Sequence, residues 1–284
     1  MRKVSNNTIL SRVFTQNTFK DLINGRPNEI YSTCIERYVN NTVDLENKFV
    51  IDEIYKYLTT EYRNEYFYKN TLLSKLLLGR HSVKTTVALT EVPINMSKAD
   101  FVLINGKAVV YEIKTELDSF DRLENQINDY YTAFNNVCVV TCESNYNKIN
   151  SLLMNTNVGI YILTNKNTIS ARKEPIADNS RLNHKSIFGT LRKQEFERII
   201  IKHFGALPQT SQIKYYKECF KWFETIEILT AYKYTLIELK SRKLKEVDEF
   251  NKVPAQLKFL VYFSNFKGKE YSKLNAFLET KIRG

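Results

Sequence analysis

The sequence of 284 residues has few of the residues on which small secreted domains and zinc proteins depend. Its four cysteines form no Cys-x-x-Cys pair and its three histidines form no cluster, so neither a disulfide framework nor a structural zinc site is expected. No run of about 18 apolar residues occurs, which predicts no membrane span. The basic N-terminus lacks a continuous apolar stretch, so no secretory signal is expected. These absences predict a protein of the reducing cytoplasm with no membrane partner.

Glycine, proline and tryptophan are also scarce, with eight, five and one residues. By contrast, Tyr occurs 18 times, Phe occurs 17 times, and hydrophobic residues make up 43% of the chain. This apolar content is ample for a packed core and excludes wholesale disorder. The composition therefore favours helices and sheet over glycine-rich loops.

Positive charge is concentrated in the last third of the chain. The formal net charge is +11, and the residues from Arg181 onward carry 21 basic against 11 acidic side chains. The first 180 residues are nearly balanced, with 21 basic and 20 acidic. Clustered Lys and Arg bind polyanions through counterion release, which indicates a nucleic-acid partner. From charge alone, a well-solvated helical surface is an equally good interpretation.

The hydrophobic pattern divides the chain into three stretches. Residues 1–60 have apolar groups at helical spacing and predict a helical N-terminal extension. Residues 61–178 hold short runs rich in Val, Ile and Thr, which are typical of strands, together with helical patterns between them. A polar segment around Asn179 marks a boundary, and residues 179–284 then return to helical periodicity in a basic C-terminal region. The expected fold class is α/β.

One segment of the middle stretch carries the residues of a metal site. Asp100 begins a predicted strand, and Asn105-Gly106 predicts a tight hairpin after it. On the next strand, the period of two places Glu112 and Lys114 on the same face. The hairpin brings Asp100 beside the end of that strand, so two carboxylates can bind one Mg²⁺ or Mn²⁺ ion. A nearby Lys can position or help deprotonate the attacking water and can stabilise a pentacovalent phosphate.

These residues resemble the PD-(D/E)XK nuclease superfamily, in which an acidic residue, a short hairpin and an acidic-x-Lys triplet follow one another. The pattern stands here as Ala99-Asp100 and Glu112-Ile113-Lys114, with Ala99 where the family name has Pro. The resemblance covers residues 62–141, whose helix, three strands, helix and strand follow the order of the superfamily core. It implies a restriction-endonuclease-like core, a central mixed β-sheet flanked by helices, with helical N- and C-terminal extensions. The alternative for the motif is an ordinary surface ion pair between Glu112 and Lys114.

Further residues fit the same resemblance. Gln126 and Tyr130 are four residues apart on the helix predicted after the strand, so both point the same way. They resemble the Gln-x-x-x-Tyr element of RecB-type nucleases, which orients the site and contacts DNA; a packed Tyr130 beside a solvated Gln126 is an equally open alternative. Glu65 resembles the helix carboxylate that reaches the metal in resolvase-like members, and Glu61, one predicted turn earlier, competes for that role. Glu91 is expected to be a simple strand-edge carboxylate outside the site.

The resemblance implies a metal-dependent nuclease that hydrolyses phosphodiester bonds of DNA. Asp100, Glu112 and Lys114 would be catalytic, and Asp100, Glu112 and Glu65 would hold the metal. DNA is favoured over RNA, and a homodimer or a protein partner stays open. Two alternatives stand beside this one: a catalytically silent nuclease-fold protein that binds nucleic acid or a protein, and a helical interaction protein in which the motif is coincidental. The abundance of Lys, Asn, Ile and Tyr suggests an AT-rich bacterial or phage genome, where nucleases serve defence, repair or mobile elements.

Overall fold

The computed structural model describes residues 7–40, 43–79 and 82–282, which divide into two compact units. The helical unit comprises the described residues of Met1–Gly79 and Leu244–Gly284, and the sheet unit comprises those of Arg80–Lys243. The α-helices of the described residues are, in chain order, α1 Thr8–Val13, α2 Gln16–Ile23, α3 Glu29–Tyr38, α4 Asn47–Thr60, α5 Glu65–Leu72, α6 Leu123–Tyr131, α7 Tyr146–Leu153, α8 His184–Gly189, α9 Lys193–Phe204, α10 Gln212–Phe223, α11 Ile228–Lys240, α12 Val247–Lys252, α13 Lys258–Phe263 and α14 Gly268–Glu279. A π-helical segment, Leu73–Leu78, continues α5.

Hydrogen bonds between the two ends of the chain close the helical unit. Asn47 Nδ2 donates to the carbonyl oxygens of Phe277 and Thr280, each at 3.0 Å. The hydroxyl of Tyr66 donates to the carbonyl oxygen of Gln256 at 2.5 Å. Because buried polar groups must find partners within the protein, these contacts tie the C-terminal helices α12–α14 to the N-terminal helices. The last helices therefore complete the unit that α1–α5 begin.

The two units differ from the three stretches that the sequence suggests. The polar segment around Asn179 has the composition of a linker, yet backbone hydrogen bonds fix it to the sheet unit. Asp178 N–H donates to the Asn135 carbonyl oxygen at 2.8 Å, and Asn183 N–H donates to that of Thr132 at 2.9 Å. Polarity alone does not distinguish a fixed surface loop from a linker. The boundary expected after residue 178 thus lies inside one compact unit, as does the boundary expected after residue 60.

Six strands form the sheet: β1 Val87–Ile94, β2 Ser97–Asn105, β3 Lys107–Lys114, β4 Val137–Thr141, β5 Gly159–Leu163 and β6 Ile169–Lys173. Their order in the sheet follows their order in the chain. The first three strands are antiparallel neighbours, β3, β4 and β5 run parallel, and β6 returns antiparallel. Every residue of β4 and β5 is buried, as expected for central strands with continuous apolar sequences. The expected α/β class, a central mixed sheet with flanking helices, is confirmed.

Five of the six strands coincide with the apolar runs of the sequence, and β6 does not. Its sequence, Ile-Ser-Ala-Arg-Lys, has no buried residue, so hydrophobicity gives no signal for it. The hairpin expected at Asn105-Gly106 is present, with Asn105 opposite Lys107. Gly106 has a φ of 75° there, in the left-handed region that glycine enters without steric penalty.

A single hydrophobic core joins the sheet to the helices that follow it. It contains fully buried Val110, Val139 and Ile160 from the sheet together with Phe188 of α8 and Phe223 of α10. Helices α8–α11 therefore cover the sheet, although the sequence places them in a separate C-terminal region. Among the residues that the structure describes, no helix combines the length and the apolar character needed to cross a membrane.

Candidate active site

The candidate site lies where β2 and β3 separate. The last backbone pair of their register is Phe101 with Tyr111, and one position further on Asp100 faces Glu112. At this point the N–H of Ile113 donates to Asp100 Oδ2 at 2.8 Å. A side-chain carboxylate thus takes the place of a main-chain acceptor and satisfies a backbone N–H that the separation would leave unpaired. This bond fixes the Asp100 carboxylate at the fork, the point where β2 and β3 separate.

Glu112 and Lys114 project from the same face of β3 and form a buried ion pair. Lys114 Nζ lies 2.9 Å from Glu112 Oε1. Only 1% of Glu112 and 8% of Lys114 is exposed. The alternative of an ordinary surface pair is therefore wrong. Because removing two charges from water has a large solvation cost, a buried pair persists only where further hydrogen bonds satisfy it.

Helix α6 supplies those hydrogen bonds. Gln126 Oε1 accepts from Lys114 Nζ at 2.8 Å. Tyr130, which is fully buried, places its hydroxyl 2.5 Å from Glu112 Oε2 and 2.8 Å from the carbonyl oxygen of Lys98. The two helix residues, one turn apart, thus face the ion pair together. Tyr130 makes specific polar contacts there in addition to its packing.

The protonation state of Glu112 decides how Tyr130 uses its single proton. When Glu112 is ionised, the Tyr130 hydroxyl donates to Oε2, which is the shorter of its two contacts. When Glu112 is protonated, the carboxyl can donate to the Tyr130 oxygen, which then donates to the Lys98 carbonyl. Burial raises the pKa of Glu112, while the charge of Lys114 and the hydrogen bond from Tyr130 lower it in part. Burial, followed by the Glu112 charge, also raises the pKa of Tyr130.

A network of side-chain hydrogen bonds holds the end of β3 in place. Thr141 Oγ1 donates to the Lys114 carbonyl oxygen at 2.7 Å, and Asn145 Nδ2 donates to that of Thr115 at 3.0 Å. The N–H and the hydroxyl of Thr115 both donate to Asp118 Oδ2, each at 2.8 Å. These contacts limit the movement of the strand end that carries the ammonium. Nothing in the sequence pattern singles out these residues.

Glu91, expected to be a strand-edge carboxylate outside the site, lies beside Asp100. β1 and β2 pair Val92 with Ala99, which places Glu91 opposite Asp100. Carboxylate oxygens of these two acidic residues lie within 4.8 Å of one another. Glu91 has a φ of 51°, a left-handed conformation that costs a residue with a Cβ about 1–2 kcal/mol. The signal that could have found it is the hairpin turn at Asn95, because that turn fixes the register of β1 on β2.

Glu65 and Glu61, the two acidic residues proposed for the preceding helix, belong to the helical unit. Glu65 is the first residue of α5, and its Oε1 lies 2.6 Å from Lys69 Nζ. Glu61 is the C-terminal cap of α4. The expectation that the two residues are one turn apart on a single helix is wrong, because a short non-helical segment separates α4 from α5.

The carboxylates at the fork are ligands of the type that a hard divalent cation prefers. Mg²⁺ and Mn²⁺ favour carboxylate oxygens, and the partly exposed Asp100 has the Glu91 carboxylate close by. Glu112 is different, since Lys114 already occupies one of its oxygens and Tyr130 the other. Each carboxylate oxygen has two lone pairs, so Glu112 could bind the cation beside one of these partners or exchange a partner for it. Exchange of Lys114 would leave its ammonium beside the cation, where it could contact a phosphate.

One protein-family model matches most of the chain. The family model described as Bacteriophage P4 protein cII matches residues 59–257, more than two thirds of the chain. The chain belongs to the bacteriophage P4 cII protein family. The range matched by the cII family includes the whole sheet unit and therefore every residue at the fork. No curated protein and no solved structure matches the chain significantly.

Proposed function

We propose that this member of the P4 cII family is a metal-dependent nuclease that hydrolyses phosphodiester bonds of DNA. The observation that carries the proposal is the arrangement at the fork of β2 and β3. There the Asp100 carboxylate stands opposite a buried Glu112–Lys114 pair, and Gln126 and Tyr130 complete the polar contacts. Buried charges of this kind are costly to retain for stability alone, which favours a chemical role.

Each residue has a distinct task in this proposal. Asp100 and Glu112 would hold a Mg²⁺ or Mn²⁺ ion, with Glu91 as a further carboxylate at the same edge. A bound divalent cation polarises the scissile phosphate and lowers the pKa of a bound water. Lys114 cannot be a ligand because its ammonium is a cation with no acceptor, so it acts on phosphate or water. Gln126 Oε1 accepts a hydrogen bond from that ammonium, so Lys114 has a second fixed partner besides Glu112.

The proposed activity is tested with purified protein, plasmid DNA, linear duplex, single-stranded DNA and RNA, in Mg²⁺, Mn²⁺ or EDTA. We expect cleavage of DNA that requires the metal and is lost in Glu112→Gln. The matched control is Glu116→Gln, which removes an exposed carboxylate four residues further along the chain. No cleavage of any substrate with either metal, by a protein that binds DNA, would overturn the proposal.

A second candidate function has its own observation. Both carboxylate oxygens of Glu112 already have protein partners, and the residue is 1% exposed. This closed arrangement favours a protein that uses the nuclease-like site for binding and not for cleavage. Titration calorimetry with Mg²⁺ and Mn²⁺ separates the two functions. Metal uptake that disappears in Asp100→Asn favours the nuclease, and no uptake beside intact DNA binding favours the silent protein.

We also propose a cytoplasmic location, with DNA preferred to RNA. The four cysteines are all free and buried, as a reducing compartment would keep them. A homodimer and a protein partner are further proposals, and the molar mass of the purified protein in solution tests the first of them.

A further inference from the structure

The sheet unit carries a half-exposed aromatic cluster near the C-terminal end of α9. The cluster, called here the aromatic platform, consists of His203 and Phe204 of α9, Trp222 of α10 and Tyr234 of α11. The ring centroids of Phe204 and Trp222 are 5.3 Å apart at 65°, and those of His203 and Phe204 are 4.6 Å apart at 76°. Phe204 is 40% exposed, whereas Phe223 on the same side of α10 as the core is fully buried. An edge-to-face contact covers a face of only one of the two rings; Trp222 and Tyr234 also pack against the core, and the 40% exposed Phe204 presents the most ring surface to solvent.

Basic side chains lie beside these rings. Lys202 Nζ is 4.5 Å from the centroid of the Tyr234 ring. Lys233, which is exposed, precedes Tyr234 on α11. Residues 181–243 carry thirteen Lys and Arg against six Glu, a net charge of +7. The helices around the platform therefore hold an excess of positive charge.

The acidic residues of this region are largely committed to partners inside the unit. Five of the six glutamates accept hydrogen bonds or form ion pairs there: Glu195 with Arg242, Glu197 with Tyr215, Glu218 with Lys221, Glu227 with the first N–H groups of α11, and Glu238 with Arg198. Their negative charges are balanced by neighbouring groups of the same unit, so they repel an incoming polyanion less. The excess positive charge consequently faces solvent, which fits a polyanion.

We propose that the aromatic platform binds single-stranded DNA, with bases stacked on Phe204 and Trp222 and phosphates against Lys202 and Lys233. Unpaired bases offer their faces to aromatic rings, whereas a duplex offers only the edges of its base pairs in the grooves. Stacking tolerates any base, so this surface holds a strand without reading its sequence. The inference rests on the proposed nuclease function in one respect, because it names unpaired DNA as the substrate of that site.

The platform contains the protein's one tryptophan, which provides a direct assay. The wild-type chain is titrated in EDTA with a dT oligonucleotide of about fifteen residues, and Trp222 emission is followed. We expect saturable quenching that weakens as salt is added. Duplex of equal length should quench little. Lys202→Ala should weaken binding and reduce the slope of log affinity against log salt by about 0.7, the contribution of one phosphate on a single strand.

Matched variants separate stacking from general charge. Phe204→Ala should weaken binding roughly tenfold, and Phe204→Leu, which keeps an apolar side chain without the ring, should weaken it similarly. Ile213→Ala on α10, where the side chain is 96% exposed, and Lys166→Ala on the turn before β6 should bind as the wild type does. Circular dichroism checks that each variant is folded.

The inference is overturned if duplex or RNA of equal length binds as tightly, or if Phe204→Leu binds like the wild type. Because binding is measured without metal, it does not depend on cleavage. Quenching by single-stranded DNA from a protein that cleaves nothing would keep the platform and refute the nuclease. Cleavage without quenching would keep the nuclease and refute the platform.

Discussion

Removal of one hydroxyl, in Tyr130→Phe, isolates the contribution of the Tyr130 hydrogen bond to the ionisation of Glu112. The ring of Tyr130 is fully buried and stays in place, so the change removes only the contacts to Glu112 Oε2 and to the Lys98 carbonyl oxygen. A hydrogen bond to an ionised carboxylate contributes about 1.5–3 kcal/mol, and one between neutral groups about 0.5–1.5 kcal/mol. Since 1.4 kcal/mol is a factor of ten, we expect the acid ionisation constant of Glu112 to fall about tenfold or more.

The effect on stability should depend on pH with a defined sign. The folded pKa of Glu112 is raised by burial, so its contribution to stability is complete below the ordinary glutamate pKa and is lost as pH rises through the folded value. Tyr130→Phe raises that folded pKa further, because the hydrogen bond that favoured the ionised form is gone. The loss of unfolding free energy should therefore be larger at about pH 8 than at about pH 5.

Two measurements check this prediction: the carboxyl ¹³C titration of Glu112, and denaturant unfolding at the two pH values. The matched control is Tyr131→Phe, because the hydroxyl of Tyr131 is buried and has no hydrogen-bond partner among the described residues. That control should leave the titration of Glu112 unchanged and should unfold at the same or slightly higher denaturant concentration. An unchanged Glu112 titration in Tyr130→Phe, or an equal loss of stability at both pH values, would refute the reasoning.

Three further predictions follow from other contacts. Lys114→Ala should lower the single-turnover cleavage rate by on the order of a hundredfold with metal affinity little changed, and Lys114→Arg should be equally slow. If the cleavage rate of Lys114→Ala recovers fully at high Mg²⁺, Lys114 only tunes metal occupancy. Glu91→Gly relieves the backbone strain of a φ of 51°, so the unfolding free energy should stay within about 1 kcal/mol of the wild-type value or exceed it. The same change should weaken metal uptake in calorimetry, and unchanged uptake would place Glu91 outside the site. Arg242→Ala breaks the ion pair with Glu195, in which the side chains are 15% and 5% exposed, and should lower the free energy of unfolding by about 3–5 kcal/mol. Arg198→Ala removes a side chain that is 51% exposed and should lower it by less than about 1 kcal/mol; denaturant unfolding measures both.

The sheet and the residues at its fork were predictable because they depend on local pattern. Alternating and continuous apolar runs identified five strands, and the Asn105-Gly106 hairpin fixed the register that puts Asp100 across from Glu112. The spacing of four residues between Gln126 and Tyr130 placed both on one face of α6. In each of these cases the periodicity of a strand or a helix determines which side chains meet.

The rest depended on contacts between distant parts of the chain, which leave no local pattern. Helices α12–α14 pack with the N-terminal helices through hydrogen bonds such as that from Asn47 to the Phe277 carbonyl oxygen, and nothing in the composition predicts this contact. The burial of Glu112 and Lys114 requires the cover of α6, a contact between distant segments that the strand pattern around Glu112 does not contain. Glu91 is expected to be a strand-edge carboxylate when the register of β1 on β2, fixed by the turn at Asn95, is left out of account, and its φ of 51° has no signal in the sequence.

The most direct test of the central claim compares Asp100→Asn with the wild type. The amide oxygen of asparagine can still accept from Ile113 N–H, so the fork should keep its structure while it loses one charged metal ligand. The measurement is single-turnover cleavage of end-labelled single-stranded DNA across a Mg²⁺ titration, with binding of the same DNA measured in EDTA. We predict a loss of cleavage on the order of a hundredfold or more with DNA binding retained. Cleavage by Asp100→Asn at the wild-type rate would contradict the account.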